Sequence, residues 1–441
     1  MEEKSPAGPL SVPVLSFPLD EGEPLLPAMH LVQQRFVVPP AVDPAHEIDT
    51  QWPATAPLIG LPRGASVAVA VGSRGIGRLP ETVRHVVAKL KEQGLEPFIV
   101  PAMGSHGGAT APGQTEVLAH RGITPESVGA PVLATMEVAV LGEADGIPLY
   151  LDRNAQGADG VVLINRVKPH TDFVGPVESG PLKMLAIGLG KQAGADDYHR
   201  YGLTRGLGET ILAVARALLA RVNVLFAVAV VENQDHEPMV VRLVPPETLE
   251  ATEIDLLKLA KSVLPRLPLA DIDLLIVDEM GKEISGAGMD PNVIGSMRGL
   301  WMAQREEPRV ARILVRRLSA QTGGNALGLG MVSAVSRRFA AEIDHEATAM
   351  NALTSCTPED AKLPLVFASE REAIAALLTT IRPYTDADLR LVWIRDTMRL
   401  ERLLVSRGCL GALSAPWQLE VGPEERRLEF DGDGFLVPVF G

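Results

Sequence analysis

The sequence predicts an α/β protein with two domains, each with a mostly parallel sheet flanked by helices. Short β-branched runs recur along the chain, and each is followed by a glycine-rich loop and a segment with helical spacing. With 441 residues, the chain is longer than one hydrophobic core usually supports. We expect the active site in the cleft between the two domains.

Charge and cysteine content exclude several classes of protein. The formal net charge is −14, whereas a protein that binds a nucleic-acid backbone needs a concentrated basic surface. Cys356 and Cys409 are far apart and show no CxxC spacing, so we expect neither a disulfide nor a cysteine metal site. Because the sequence has no apolar run of about 18 residues, we expect a cytoplasmic protein that binds neither nucleic acid nor membrane.

The first domain is predicted to span residues 1–266. Residues 1–60 hold many prolines and few periodic runs, so we expect an extended arm with one or two edge strands. The main strands are predicted at 66–71, 97–100, 160–167 and 223–231. Since the carboxyl ends of parallel strands meet at one edge of a sheet, the loops after them should converge on one pocket.

The second domain is predicted to span residues 267–441. Pro265 and Pro268 interrupt the pattern before a buried strand at 272–280. The glycine-rich loop at 286–295 could face the cleft, or it could be a simple Asp-Pro turn. Its expected substrate contacts are Met289, Asp290 and Asn292.

Two histidines follow the ends of predicted strands. His106 lies in the sequence GSHGG, whose glycines allow a sharp turn, although a loop histidine that caps the next helix is the alternative. His170 follows Pro169, whose ring restricts the backbone and would aim the imidazole in a defined direction. Two imidazoles at neighbouring strand ends could remove a proton from one face of a substrate and return it on the other.

Lys183 and His199 follow the same strand as His170. Lys183 lies in the apolar run SGPLKMLAIGLG, with Pro181 at the predicted first helical position. A lysine there could be desolvated and nucleophilic, or it could extend to solvent from an amphipathic helix. His199 has no HxH or cysteine partner for a zinc site, and it could instead be the single protein ligand of a metal held by a cofactor.

Arg74 lies in the loop after the first predicted strand. It could bind a carboxylate or a phosphate, helped by the amides of Gly72 and Ser73, or it could be a surface arginine. The loop reads GSRGIG, which is not the GxGxxG signature, and no Walker lysine pattern occurs. Use of NAD or ATP therefore has little support.

Taken together, these motifs resemble those of the lactate racemase family. They are SRG at 73–75, GSHGG at 104–108, KPH at 168–170, SGPLK at 179–183, and His199. The family consists of nickel-dependent racemases and epimerases of 2-hydroxy acids that use a nickel-pincer nucleotide. The resemblance covers most of the first domain, and the second domain more loosely.

The resemblance implies a cofactor and a role for each residue. The cofactor would be a Ni(II)-pyridinium-3,5-bisthiocarboxylate mononucleotide, covalently linked through Lys183, with His199 as the protein's nickel ligand. His106 and His170 would act as alternating acid and base, and Arg74 would contact the substrate or the nucleotide. The other expected cofactor contacts are Gly72, Ser73, Phe173, Gly175, Ser179 and Gly180.

The sequence also departs from the family pattern. Val71-Gly72 replaces an aspartate early in the Arg74 loop, and VESGPLK at 177–183 replaces a glycine-rich run before the lysine. The 288–293 loop lacks the glutamine and lysine that contact substrate in the family. We therefore do not expect lactate itself to be the substrate.

These observations indicate a racemase or epimerase that inverts C2 of a 2-hydroxy acid by proton-coupled hydride transfer to and from the cofactor. One alternative is a zinc- or iron-dependent hydrolase or lyase with His106, His170 and His199 as ligands. Another is a non-enzymatic protein that binds nucleotides or organic acids. Enzymes of cofactor synthesis would be partners for loading, and the chain could form a homo-oligomer.

Overall fold

The computed structural model describes residues 12–19, 26–73, 75–171, 173–295 and 307–440. The chain divides into two compact units. We call Val37–Leu264 the first unit, and Met1–Phe36 together with Pro265–Gly441 the second unit. No helix among the described residues is long and apolar enough to cross a membrane.

The described residues form the following strands and α-helices. The strands are β1 (Met29–Arg35), β2 (Ser66–Val71), β3 (Glu96–Pro101), β4 (Val138–Ala144), β5 (Ile147–Asp152), β6 (Gly160–Arg166), β7 (Val224–Glu232), β8 (Pro238–Val244), β9 (Asp271–Met280), β10 (Arg309–Leu318), β11 (Ala334–Ser336), β12 (Leu365–Phe367), β13 (Leu391–Ile394), β14 (Arg402–Ser406) and β15 (Gln418–Arg426). The helices are α1 (Pro44–Thr55), α2 (Leu79–Glu92), α3 (Ala111–His120), α4 (Pro125–Val128), α5 (Arg153–Gln156), α6 (Pro181–Lys183), α7 (Lys191–Arg205), α8 (Leu207–Leu219), α9 (Leu249–Val263), α10 (Pro291–Ile294), α11 (Arg337–Ala340), α12 (His345–Thr354) and α13 (Glu370–Leu378).

The main sheet of the first unit has the strand order β3-β2-β6-β7-β8. β3, β2, β6 and β7 are parallel, and β8 is antiparallel to β7. From β2 the chain adds β3 on one side and later β6 and β7 on the other. The direction of sheet growth therefore reverses between β2 and β6, and the loops at such a reversal leave a crevice at the carboxyl ends of the strands.

Helices cover both faces of this sheet, which explains why its strands are continuous apolar runs. Alternate residues of β2 point to opposite faces. Val67, Val69 and Val71 pack in a cluster with α1 and α2. Ala68 and Ala70 pack in a second cluster with α7, α8 and α9. Each face thus has its own hydrophobic core.

The second unit has an eight-stranded sheet in the order β12-β11-β10-β9-β13-β14-β1-β15. The first five strands in this order, from β12 through β11, β10 and β9 to β13, are parallel. The other three, β14, β1 and β15, pair antiparallel with their neighbours. Its two faces also have separate cores, one of which includes α13. The predicted α/β class, with mostly parallel sheets flanked by helices, is therefore confirmed.

Residues 1–60 differ from the extended arm that the sequence predicted for the first domain. β1 lies inside the sheet of the second unit, between β14 and β15. Pro44–Thr55 is a helix, with Pro44 at its start and the Asp43 side chain capping the N–H of Ala45. Proline is well placed in a first helical turn, so prolines that suggested an irregular arm here mark a helix start. Residues 1–11 and 20–25 lie outside the described residues.

Candidate functional site

Three loops of the first unit leave the sheet at the carboxyl ends of neighbouring parallel strands. The loop after β2 contains Ser73, the loop after β3 contains His106, and the loop after β6 contains His170. β2 lies between β3 and β6. The three loops therefore emerge side by side at the point where the direction of sheet growth reverses.

His106 is paired with Ser73 across two of these loops. The Ser73 hydroxyl lies 2.5 Å from Nδ1 of His106. The cap of helix α3 is Thr110, whose side chain accepts the N–H of Gly113. The alternative that His106 caps the next helix therefore does not describe this loop. Gly107 follows with φ +68, and a Cβ there would lie 2.6 Å from the backbone of Gly113, so only glycine fits.

Two buried side chains, those of Gln114 and Lys191, stabilise the His106 loop. The side-chain amide of Gln114 donates to the carbonyls of Gly104 at 2.8 Å and His106 at 3.2 Å. Lys191 is fully buried, and its Nζ lies 2.9 Å from the carboxylate of Asp152 and 3.0 Å from Oε1 of Gln114. Nζ also donates to the carbonyl of Pro101. Burial lowers the pKa of Lys191, and Asp152 opposes that shift.

Lys183 and His170 are in contact in the loop after β6. Nζ of Lys183 is hydrogen-bonded to Nε2 of His170. The imidazole stacks on the buried ring of Phe173, with centroids 4.6 Å apart and planes 28° apart. Nζ lies 5.8 Å from the centroid of the same ring. The lysine therefore does not simply extend to solvent from its helix.

Lys183 ends a short helix whose start is shaped by a buried acid. Helix α6 begins at Pro181 and continues into a π-helical turn at Met184–Gly188, a feature frequent at functional sites. Glu253 accepts the N–H of Leu182 at 2.9 Å and is 1% exposed. A Cβ on Gly180 would lie 2.2 Å from Glu253, which explains the glycine. Burial raises the pKa of Glu253 to about 8.

The segment from Lys168 to Ser179 folds back on itself. Lys168 and Ser179 exchange backbone hydrogen bonds of 3.0 and 3.1 Å. The buried carboxylate of Glu178 accepts the N–H of His170 at 2.6 Å and of Gly175 at 3.3 Å. Lys261 pairs with the same carboxylate at 2.6 Å. Glu178 therefore fixes the backbone from which the imidazole of His170 projects.

His199 lies on helix α7, two turns after Lys191. Its Nδ1 is 2.5 Å from the carbonyl of Ala195, which can only accept, so Nδ1 carries a proton. Lys191, Ala195 and His199 are spaced by four residues and share one side of the helix. Lys191 contacts the carbonyl of Pro101, and the Cβ of Ala195 would be 3.6 Å from a Cβ on Gly104. This side of α7 therefore faces the His106 loop.

Three further residues were expected to contact the cofactor: Arg74, Gly72 and Gly180. Arg74 lies outside the described residues. Gly72 packs against the π-helical turn, since a Cβ there would lie 3.3 Å from the methyl group of Met184. The carbonyl of Gly180 accepts the side-chain amide of Asn165 at 2.8 Å. Contacts of these positions with a cofactor stay a prediction.

The loop expected to contact substrate in the second unit has its own structure. Met289 is fully buried in the hydrophobic core, so it does not present its side chain to a ligand. Asp290 caps helix α10 by accepting the N–H of Asn292 at 2.8 Å. This is the geometry of the Asp-Pro turn that was the alternative explanation. Substrate contact by Asp290 and Asn292 stays a prediction.

No three or more His, Cys, Asp or Glu side chains within the described ranges are placed to hold a metal ion. The described residues therefore give no support to a zinc or iron hydrolase with His106, His170 and His199 as metal ligands. A metal held mainly by a cofactor would need only one protein ligand.

Comparisons with known proteins find a family and a solved structure that resemble parts of this chain. The family described as "Domain of unknown function (DUF362)" matches residues 73–249. The lactate racemase apoprotein from Thermoanaerobacterium thermosaccharolyticum is similar at 14% identity and a TM-score of 0.45, covering 84% of this chain and 85% of that chain. No curated protein matches the sequence. The DUF362 range contains Ser73, His106, His170, Lys183 and His199.

Four buried polar residues of the site do not stand out in the sequence. They are Gln114, Glu178, Lys191 and Glu253. Polar residues of these types are normally exposed, so a sequence gives no reason to place them in a core. The one available signal is Lys191 in the run AIGLGK, because it directly follows a long apolar segment.

Proposed function

We propose that the protein is a racemase or epimerase that inverts C2 of a 2-hydroxy acid with a nickel-pincer nucleotide. The observation that supports it most is the hydrogen bond between Lys183 and His170. It lies at the carboxyl end of β6, next to the strand whose loop contains Ser73. An amine for anchoring a cofactor and two imidazoles for proton transfer are thus at one edge of one sheet.

The residues present fit this cofactor in their chemistry. Lys183 is a partly exposed primary amine, which can form the expected thioamide. In its neutral form, His199 would offer the lone pair of Nε2, because its Nδ1 proton is held by Ala195, and imidazole is a suitable ligand for Ni(II).

Held by Lys183 and His199, the nucleotide would supply reversible hydride transfer at C2 of the substrate. The side chains of the protein would move the accompanying proton. One imidazole takes the proton of the substrate hydroxyl, and the other supplies a proton when the hydroxyl forms again. His106 and His170 would exchange these roles when the direction of the reaction is reversed.

The partner of His106 suits such an exchange. A serine hydroxyl can donate a hydrogen bond to Nδ1 or accept one from it. Ser73 can therefore hold the ring of His106 in one orientation whether Nε2 carries a proton or a lone pair. Arg74 would orient the substrate carboxylate or contact the nucleotide.

The test is a panel of D- and L-2-hydroxy acids, incubated with protein that was produced together with cofactor-synthesis enzymes. Chiral chromatography should detect inversion of at least one acid, and metal analysis should find nickel. His106→Gln and His170→Gln should lower the rate by about 100-fold or more, because each removes one proton-transfer group.

The control is His46→Gln, since His46 is an exposed histidine on α1. It should leave the rate unchanged. Nickel-loaded protein that inverts none of the acids would refute the proposal. Full racemase activity in a Lys183→Ala variant would refute the covalent anchor.

A further inference from the structure

Lys183 and His170 together have the geometry of a nucleophile and its base. The imidazole Nε2 is hydrogen-bonded to the amine nitrogen. As such a nitrogen attacks a carbon, the imidazole can accept its proton. We propose that His170 is the base that activates Lys183 for acylation, so that the protein attaches the cofactor to itself. The identity of the acyl group rests on the proposed function, whereas the reactivity of the lysine does not.

The base is held in place by two independent contacts. Stacking on Phe173 fixes the plane of the imidazole. The hydrogen bond from the N–H of His170 to the carboxylate of Glu178 fixes its backbone. A nucleophile, a base within hydrogen-bond reach and a group that orients the base are the three parts of an activated nucleophile. All three parts are present here.

Two buried acids contact the backbone on either side of the pair. Glu178 is directed to the backbone of His170 and is paired with Lys261 at 2.6 Å. Glu253 lies behind α6, where it accepts the N–H of Leu182. Each acid thus holds the backbone beside the pair, while Nζ of Lys183 is hydrogen-bonded to the imidazole of His170.

The proposed reaction is a condensation without oxidation or reduction. Nζ of Lys183 forms a bond to the carbon of a thiocarboxylic acid group, and the carbon–oxygen bond of that group breaks. Nε2 of His170 accepts a proton from Nζ and returns it to the departing oxygen. The products are a thioamide and one molecule of water.

Acylation would also change what His170 can do next. The nitrogen of a thioamide is not basic, so it no longer exchanges protons with the imidazole. Nε2 of His170 then becomes available to the hydroxyl of a substrate. One histidine would therefore act twice, first in attachment of the cofactor and afterwards in turnover, and attachment would have to come first.

The first test measures the reactivity of Lys183 in protein made without the cofactor. The protein is treated at neutral pH with the N-hydroxysuccinimide ester of acetic acid, and acetylation is followed by peptide mass spectrometry. Lys258 is an internal reference, because it is exposed and its described ion pair is with the exposed Asp255 at 2.9 Å. Wild-type Lys183 should react faster than Lys258.

The decisive variant is His170→Phe, which keeps a ring to stack on Phe173 but removes the base. Lys183 should react at least about tenfold more slowly, and Lys258 should react as before. His170→Asn provides a second variant if the phenylalanine lowers the melting temperature. An unchanged ratio of Lys183 to Lys258 reactivity in either folded variant would overturn the proposal.

The second test separates this proposal from the proposed function. Wild-type protein and His170→Phe are each produced together with cofactor-synthesis enzymes, and their intact mass and nickel content are measured. The wild type should carry the covalent adduct, whereas His170→Phe should bind nickel with little adduct. Equal amounts of adduct in the wild type and His170→Phe would overturn the role of His170, and the proposed racemase function would still stand. Absence of nickel and adduct from the wild type would count against the racemase, and the acetylation rates would still decide the role of His170.

Discussion

A single acid, Glu253, links the stability of the protein to the segment that contains Lys183. Its carboxyl group is buried and accepts the N–H of Leu182. Burial raises its pKa to about 8, mainly because water no longer solvates the charge. At neutral pH the group is therefore mostly protonated in the folded protein and ionised in the unfolded chain.

This difference predicts how stability depends on pH. Because the folded pKa lies above the ordinary value of 4.5 for a glutamate, the stabilisation is complete below that value and is lost as the pH rises towards about 8. Wild-type protein should lose about 1 kcal/mol of unfolding free energy for each pH unit in this window. Glu253→Gln keeps the acceptor for Leu182 but does not titrate, so its unfolding free energy should lack this slope in urea denaturation.

A matched control is Asp255→Asn on the same helix, where the side chain is 75% exposed. This variant should keep the slope of the wild type. Parallel pH profiles for wild type and Glu253→Gln would show that the carboxyl of Glu253 is ionised in the folded protein.

Ser73 is expected to act on catalysis through His106. Its hydroxyl lies 2.5 Å from Nδ1, so Ser73→Ala removes a hydrogen bond that orients the imidazole. We expect kcat for the proposed reaction to fall by about tenfold, with KM little changed. Ser73→Thr keeps the hydroxyl and should restore most of kcat. If alanine and threonine variants behave alike, the hydroxyl does not position His106.

At the scale of elements, the His106 loop depends on a buried ion pair. Lys191 begins α7 and is 2.9 Å from Asp152, which caps α5. Removing one partner of a buried pair leaves an uncompensated charge. Lys191→Met should therefore lower the unfolding free energy by about 3–5 kcal/mol. Urea denaturation would measure the loss.

A double variant tests the cause of that loss. Asn is as good a helix cap as Asp, so Asp152→Asn can keep the cap while it removes the charge. Adding it to Lys191→Met should recover part of the lost stability. If the double variant loses as much unfolding free energy as the two single variants together, or more, the cost comes from lost packing of the lysine side chain rather than from the charge of Asp152.

The parallel strands could be predicted from the sequence because both of their faces are buried. The runs at 66–71, 97–100 and 160–167 became β2, β3 and β6, to within one residue at each end. A continuous β-branched run between a turn and a glycine-rich loop is compatible with few structures other than a buried parallel strand. The loops between these strands were therefore predictable as neighbours.

The supports of the site could not be predicted in this way. Glu178 and Gln114 are buried because their side chains bind backbone groups of the neighbouring loop, at His170 and Gly104 respectively. Such partners are set by the tertiary fold and leave no periodic pattern in the sequence. The contact between Lys183 and His170 belongs to the same class, since it depends on the turn made by residues 168–179.

At the scale of the whole molecule, the sheet of the second unit is assembled from both ends of the chain. β1 precedes the first unit in sequence, yet it pairs with β14 on one side and β15 on the other. The side chains of Met29 and Val32 are fully buried in the two cores of this unit. A local pattern cannot reveal such a partner, because the strands lie more than 360 residues apart, as the pairing of Gln33 with Arg402 shows.

This assembly predicts that loss of the first 36 residues destabilises the second unit selectively. Without β1, β15 loses its partner strand, and the buried Gln34 no longer donates to the carbonyls of Leu400 at 2.8 Å and Arg266 at 3.2 Å. In hydrogen exchange followed by mass spectrometry, peptides of β14 and β15 should exchange at least about tenfold faster in the deletion variant than in the full chain.

Peptides of β2 and β6 serve as the internal control, because their strand partners all lie within Val37–Leu264. Their exchange should be unchanged, and so should the acetylation rate of Lys183. A deletion that stops at residue 25 keeps β1, so its β14 and β15 peptides should exchange as in the full chain, whereas β12 loses its contact with Leu15. Equal acceleration in both sheets would show instead that the two units unfold together as one cooperative structure.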